Sequence, residues 1–388
     1  MADQLAFALI NPYSIAKSRT GGIIGRFMSR TGLELVAARM FGPSAELVER
    51  FADLLRRQAG ADPAIRGILA DYVLRTYAPD PHSGRRRRVL MLLFEGEDAV
   101  QRIYRVTGSL RPNLETGETI RDTFGDFILN EDGSPRYIEP AVLVGTDLDA
   151  TRDTLRLWAE YSERDGGLIL DAADLADGSD IQQTLVLIKP DNFRFPSARP
   201  GNIIDLFSRS GLRIIGAKVH RMSVEEAEQF YGPVRDVLRS KLARDVSDRA
   251  MRALDAEFGM KFPASIRERL GEMLTPHYGD QQFYEIVRFM TGYWPPDCSV
   301  EERRQPGKER CLALIYRGPH AIETIRGILG PTDPRKATPG QVRREFGHDI
   351  MVNAAHASDS VANAEREMAI IRVEKDLIRP WVEKYYAP

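Results

Sequence analysis

Cysteine is close to absent. Cys298 and Cys311 are the only two in 388 residues, too few for a disulfide framework or a four-ligand zinc centre. No apolar run approaches the roughly 20 residues that span a bilayer, so no membrane is expected as a partner. The opening Met1-Ala2-Asp3-Gln4 lacks a basic segment, and no long apolar core follows it; a cytoplasmic location is the resulting expectation. An excess of charge of one sign is also missing. With 54 Lys and Arg against 56 Asp and Glu, the net charge is −2, which gives no reason to expect nucleic acid as the main partner. Finally, G-x-x-x-x-G-K-[ST] occurs nowhere, so phosphates are not held by a P-loop.

What is present is an internal repeat. Leu5–Ile10 reads as a buried strand stopped at Asn11-Pro12, followed by an amphipathic helix over Gly22–Thr31, a break at Gly32 and a second strand over Leu33–Met40. Roughly 180 residues later the same phrase returns: strand Thr184–Ile188, a helix with Ile203, Ile204 and Phe207, a break at Gly211 and strand Leu212–Val219. Val89–Gly96 is answered by Cys311–Gly318, Glu118–Ile128 by Gly340–Ile350, and Gly145–Leu155 by Ala357–Met368. A period this long means two copies of a domain and not a solenoid of about 20–50-residue units. The pattern predicts an α+β fold: two ferredoxin-like (βαββαβ) antiparallel-sheet domains in tandem, each with extra helical insertions. The boundaries follow as 1–165, a linker over 166–182 rich in Asp, Gly and Ala, and 183–388. The run Arg85–Arg88 ahead of the third strand leaves two readings open, a solvated approach to that strand and a phosphate or nucleic-acid patch.

The stretch Asn353-Ala354-Ala355-His356-Ala357-Ser358-Asp359-Ser360 carries the most chemistry. It precedes a helical pattern starting near Val361, with Ser358, Asp359 and Ser360 as N-cap types. His356 is therefore expected on a turn, beside backbone N–H groups that favour an anion. A neutral imidazole nitrogen is a competent nucleophile near pH 7. Phosphoryl transfer needs chiefly positioning and fixed positive charge, which Lys189, Arg326 and Arg343 are suited to supply.

Three phrases of the second copy, "TLVLIKPD", "ILGPTDPRKATPGQVRREFG" and "NAAHASDSVANAERE", resemble the nucleoside diphosphate kinase family in order and register. The resemblance covers nearly all of the second copy and, more weakly, the first. It implies transfer of the γ-phosphate of a nucleoside triphosphate to a nucleoside diphosphate through His356, with Mg²⁺ carried mainly by the nucleotide phosphates. It implies Glu367 as the acid orienting the imidazole and Ser358 as the hydroxyl supporting that acid. Lys189 and Asn353 match the residues that bond ribose and phosphate, and Arg326, Thr332 and Arg343 match the phosphate clamp. Tyr231 matches the tyrosine near the transferred phosphate, and Phe283 the ring on which the base stacks. The family's oligomeric habit implies a homo-oligomer or, with two fused copies, an intramolecular pseudo-dimer.

The first copy departs from this pattern. Asn11 stands at the lysine position, Tyr13 answers Asp191, Leu110 answers Thr332, and His356 aligns with Val144; Arg121 is retained. The first copy is thus expected to be structural or regulatory. The second copy departs too. Ala357 replaces a family glycine, and about fifty residues separate Tyr231 from Phe283 where the family has a few. This insertion, about 233–281, reads as amphipathic helices in the region that covers the base. A tail from Arg372 to Pro388, with Trp381, Tyr385 and Tyr386, is expected to dock on a surface. The leading expectation is a tandem phosphotransferase with one competent site. The alternative is a nucleotide-binding regulatory or scaffold protein with little or no turnover, and a third reading passes the phosphate from His356 to a protein acceptor.

Overall fold

The computed structural model of the chain describes residues 3–58, 63–110, 117–132, 135–175, 178 and 180–387. The first copy runs β1 (Asp3–Ile10), α1 (Pro12–Ala16), α2 (Thr20–Arg30), β2 (Glu34–Phe41), α3 (Ala45–Arg57), α4 (Pro63–Thr76), β3 (Val89–Glu97), α5 (Ala99–Thr107), α6 (Ile120–Phe124), β4 (Asp126–Leu129), β5 (Pro135–Glu139), β6 (Val142–Val144) and α7 (Leu148–Asp165). The second runs β7 (Ile181–Ile188), α8 (Arg199–Ser208), β8 (Arg213–His220), α9 (Val224–Lys241), α10 (Ala243–Phe258), α11 (Ala264–Thr291), β9 (Cys311–Pro319), α12 (Ala321–Leu329), α13 (Val342–Phe346), β10 (Ala355–Ala357), α14 (Val361–Ile371) and the tail helix α15 (Ile378–Tyr386).

The sheet orders are β2-β3-β1-β6 and β10-β7-β9-β8. Read from equivalent ends they are the same order, with antiparallel pairing of β1 to β3 and of β7 to β9. The expected ferredoxin-like α+β arrangement is therefore present in both copies. β1 is buried from Leu5 to Ile10 and β7 from Leu185 to Ile188, as central strands demand. His356 is not on a turn: it is the middle residue of β10, paired with Leu187. The sequence around it has no strand alternation, and only pairing with β7 makes three residues extended.

The chain divides into two compact units, one of residues 1–220, 312–368 and 372–388, the other of 221–311 and 369–371. In the first unit, corresponding elements of the two copies face each other: α2 packs on α8 and β2 on β8. The helices approach so closely that a Cβ on Gly201 would lie 2.2 Å from the Gly21 carbonyl oxygen. Glycine at this crossing is therefore a steric requirement.

The four-arginine run is neither a solvated approach nor an anion patch. Arg86 pairs with Asp171 at 2.6 Å, Arg85 donates to the Leu175 carbonyl at 3.2 Å, and buried Arg88 bonds Asp174 and the Ile214 carbonyl. These side chains hold the linker to both copies. Arg87, whose guanidinium bonds the Arg75 carbonyl, pairs with Asp80 at 3.7 Å. The tail docks on the first copy: Ile378 and Val382 join its core with Phe51, Tyr72, Tyr77 and Trp158, and Trp381, Tyr385 and Tyr386 pack against that core. Tyr386 Oη donates to the Leu5 carbonyl at 2.6 Å, and Arg39 donates to the Lys375 carbonyl at 3.0 Å. Pro388 lies outside the described residues.

In the second unit α11 packs on α9 and α10. Asp280 receives Arg235 at 2.8 Å and Arg239 at 2.6 Å, and Gly279 admits the Arg239 backbone where a Cβ would stand 2.9 Å away.

Candidate active site

β10 and α14 bring the imidazole and its acid together. His356 Nε2 lies 2.8 Å from Glu367 Oε2, and Ser358 Oγ donates to the same oxygen at 2.7 Å. Ser358 is fully buried and Glu367 is 4% exposed, while the imidazole keeps 22% of its side-chain surface. Arg366 lies 3.4 Å from the other carboxylate oxygen. A carboxylate accepts only, so the imidazole proton belongs on Nε2 and the lone pair on Nδ1. The N-cap of α14 is Ser360, whose Oγ accepts from the Asn363 N–H at 3.2 Å.

Lys189 directly follows β7 and is 8% exposed. Its Nζ donates to Asn353 Oδ1 at 2.7 Å and to the Met351 carbonyl at 3.1 Å. Burial, then the positive charge of Arg343, pushes this ammonium down to about 7, with Asp191 and Asp349 opposing. Asn353 donates in turn to the carbonyls of Thr332 at 3.1 Å and Ile350 at 2.7 Å. Lys189, Asn353 and the Thr332 loop thus form one bonded group. Thr332 itself is exposed.

Arg343 Nη1 donates to the Gly330 carbonyl at 3.0 Å and Nη2 to the Ala355 carbonyl at 3.2 Å. Arg121 makes the equivalent bonds in the first copy, to Gly108 at 2.7 Å and Val142 at 3.3 Å. Tying the loop after α12 or α5 to the terminal strand accounts for the retention of this arginine in both copies. Arg326 is half exposed on α12, 3.9 Å from Asp359. Tyr231 and Phe283 belong to the helical unit. Tyr231 is 7% and Phe283 1% exposed, with the Arg235 guanidinium 5.2 Å from the Phe283 ring centroid.

The left-handed backbone of the site was not anticipated. It falls at Ala354, with φ 68°, while Ala357 lies in β10, so alanine at 357 carries no left-handed strain. Asn192 supports the strained residue by donating to the Ala354 carbonyl at 2.8 Å. Asp191 is a second addition: its buried carboxylate takes no hydrogen bond from another side chain among the described residues and lies 3.7 Å from Arg199. Burial pushes it up from the ordinary carboxylate range, and Lys189 and Arg199 pull it back. Its place after Lys189-Pro190 was the available signal.

Strand register corrects one alignment. Ile10 pairs with Val142 and Ile188 with Ala355; Ala141, at φ 60°, matches Ala354. The residue equivalent to His356 is therefore Leu143, not Val144. By the same register Glu367 corresponds to Thr154, Ser358 to Gly145 and Asn353 to Pro140.

A sequence profile described as nucleoside diphosphate kinase matches residues 182–238 and 235–377. The protein named nucleoside diphosphate kinase from Staphylothermus marinus is 28% identical over 197 residues, which are 51% of this chain and 96% of its own length. The one from Campylobacter fetus is 28% identical over 197 residues, 51% of this chain and 99% of its own. The crystal structure of an NDP kinase from Pyrobaculum aerophilum is 27% identical and covers 49% of this chain and 94% of its own, at a TM-score of 0.33.

Proposed function

Since the chain belongs to the nucleoside diphosphate kinase family, we propose that its second copy transfers the γ-phosphate of a nucleoside triphosphate to a nucleoside diphosphate through a phosphohistidine at His356. The observation that carries this is the 2.8 Å contact of His356 Nε2 with a buried carboxylate that also receives Ser358. It directs the Nδ1 lone pair to the incoming phosphorus.

The substrate arrives as the magnesium nucleotide, whose metal neutralises charge on the phosphate oxygens. Nδ1 forms a bond to the γ-phosphorus, the bond from phosphorus to the bridging β-oxygen breaks, and the diphosphate leaves with that electron pair. A terminal oxygen of an acceptor diphosphate then attacks the phosphorus, and the P–N bond breaks back to the neutral imidazole. Glu367 stabilises the positive charge that builds on the ring during the first step. Lys189, held by Asn353, and Arg326 meet the phosphates, while Arg343 contributes charge from behind the loop.

Residues 1–165 act as a non-catalytic copy in this reading. The competing reading, binding with little turnover, draws on the burial of Phe283 and Tyr231, which leaves the Phe283 ring closed to a base and the Tyr231 ring closed to a phosphate. Incubation of the purified protein with Mg-[γ-³²P]ATP separates the two. Acid-labile, alkali-stable label on the wild type, absent from His356→Ala and discharged by GDP, is expected. A protein that binds ATP but takes no label would sink the catalytic reading.

A further inference from the structure

The first copy retains the backbone frame of the site but has changed the sign of its contents. Asn11 is the structural counterpart of Lys189: each backbone N–H donates to the carbonyl of the left-handed alanine, Asn11 to Ala141 at 3.1 Å and Lys189 to Ala354 at 2.9 Å. Where Lys189 carries an ammonium, Asn11 carries an amide, and that amide is committed. Its Nδ2 donates to Glu139 Oε1 at 3.0 Å and its Oδ1 accepts from Tyr77 Oη at 2.5 Å. Glu139 also accepts from Tyr72 Oη at 2.7 Å and from the Ala141 N–H at 3.1 Å. Asn11, Glu139, Tyr72 and Tyr77 are all 2% exposed or less.

Among the described residues, the counterparts of His356, Glu367 and Arg326 offer no charge to an anion. Leu143 replaces the nucleophile and is 4% exposed, and Thr154 replaces its acid and is 1% exposed. Counting along α5 and α12 from their matching starts puts Tyr104 at Arg326. Arg121 keeps its charge but is bonded to two backbone carbonyls and is 6% exposed. The tyrosines that close the space come from α4 and the residue after it, and they continue into the aromatic core, with Tyr77 6.3 Å from both Phe51 and Trp158.

We infer that the first copy has no nucleotide site, because its phosphate pocket is filled by the Asn11–Glu139–Tyr72–Tyr77 cluster, which sets an amide where the second copy carries an ammonium and a buried carboxyl beside it, so that each chain takes up a single nucleoside phosphate. A phosphate brought there would displace a buried hydrogen-bonded network and face a like charge, both unfavourable in a low-dielectric site. The inference rests on the reading of the second copy as the nucleotide site.

The test uses the full chain. ADP with magnesium is titrated calorimetrically, and a parallel sample is photolabelled with 8-azido-ATP and mapped by peptide mass spectrometry. One ADP per chain, with label only on peptides after the linker, is expected. Two ADP per chain, or label on peptides bearing Asn11, Tyr72, Tyr77 or Glu139, overturns the closed first copy while leaving the second-copy reading intact. Absence of any binding instead overturns the second-copy reading and the count of one per chain, which distinguishes the two failures.

Discussion

At equivalent positions of one strand order, the second copy holds Lys189, Asn353, His356 and Glu367, and the first holds Asn11, Pro140, Leu143 and Thr154. Both keep a left-handed alanine at the entrance to the last strand, with φ 60° at Ala141 and 68° at Ala354, and both keep the arginine that ties a loop to that strand. The groups retained in both copies therefore belong to the frame, and those present in one are the ones to which the proposed chemistry is assigned. Arg343 falls partly in the first class, which retention of a charged residue in a motif does not reveal.

The sharpest way to break this comparison is to move the nucleophile. In a His356→Ala background, Leu143→His should take no phosphate from Mg-[γ-³²P]ATP, since the counterparts of Glu367 and Lys189 are missing; any histidine-bound label there would show that the frame suffices. Next in size, Glu367→Gln should lower kcat by roughly 100-fold, the range of a positioned acid–base partner, with KM little changed. An equal fall in thermal stability and activity would instead mark it as a packing residue.

Lys189 gives a pH test. Its ammonium is held near 7, and an anion bound beside it favours the charged form. At pH 8 ADP binding should therefore take up a proton, seen as a heat that depends on the buffer's ionisation enthalpy, and the uptake should shrink below pH 6. Lys189→Arg should remove the buffer dependence, because a guanidinium stays charged.

The smallest expected effect lies where the copies meet. Asp205 on α8, against Gly21 and Gly22 of α2, is pushed up by burial to about 6 from an ordinary 3.8. A carboxyl raised in this way contributes stability that is present below its unfolded value and lost as pH rises through about 6. Asp205→Asn should thus raise the thermal midpoint by a few degrees at pH 8 and by less at pH 4.5. Equal shifts at both pH values would remove Asp205 as the source.

Much of the frame was legible. The repeat, the strands Leu5–Ile10 and Thr184–Ile188, the helices around Phe27 and Phe207, and the insertion helices follow from local periodicity, which a sequence carries directly. The grouping of His356, Ser358 and Glu367 was implied by the family resemblance of their motif, and one short strand and two turns of helix bring them together. The Leu143 equivalence did not, because a one-residue slip is invisible where flanking residues are small and apolar, and hydrogen-bond register alone resolves it. The Arg85–Arg88 run follows neither of its two readings for a related reason: charge in a sequence carries no sign of the carboxylates a linker will return to it from about 85 residues away, as Asp171 and Asp174 do.

By itself, then, the sequence determined two copies of a ferredoxin-like domain, family membership and a single complete set of the residues proposed to handle phosphate. Those depend on residue type and local spacing. Tertiary structure decided that the left-handed residue is Ala354, that His356 sits on a strand, that Arg343 serves the frame, that the tail of the second copy is buried in the core of the first, and that Asn11 and Glu139 close the first pocket. Each of these depends on which distant segments share a sheet edge or a core, a matter of pairing and burial that no local pattern encodes.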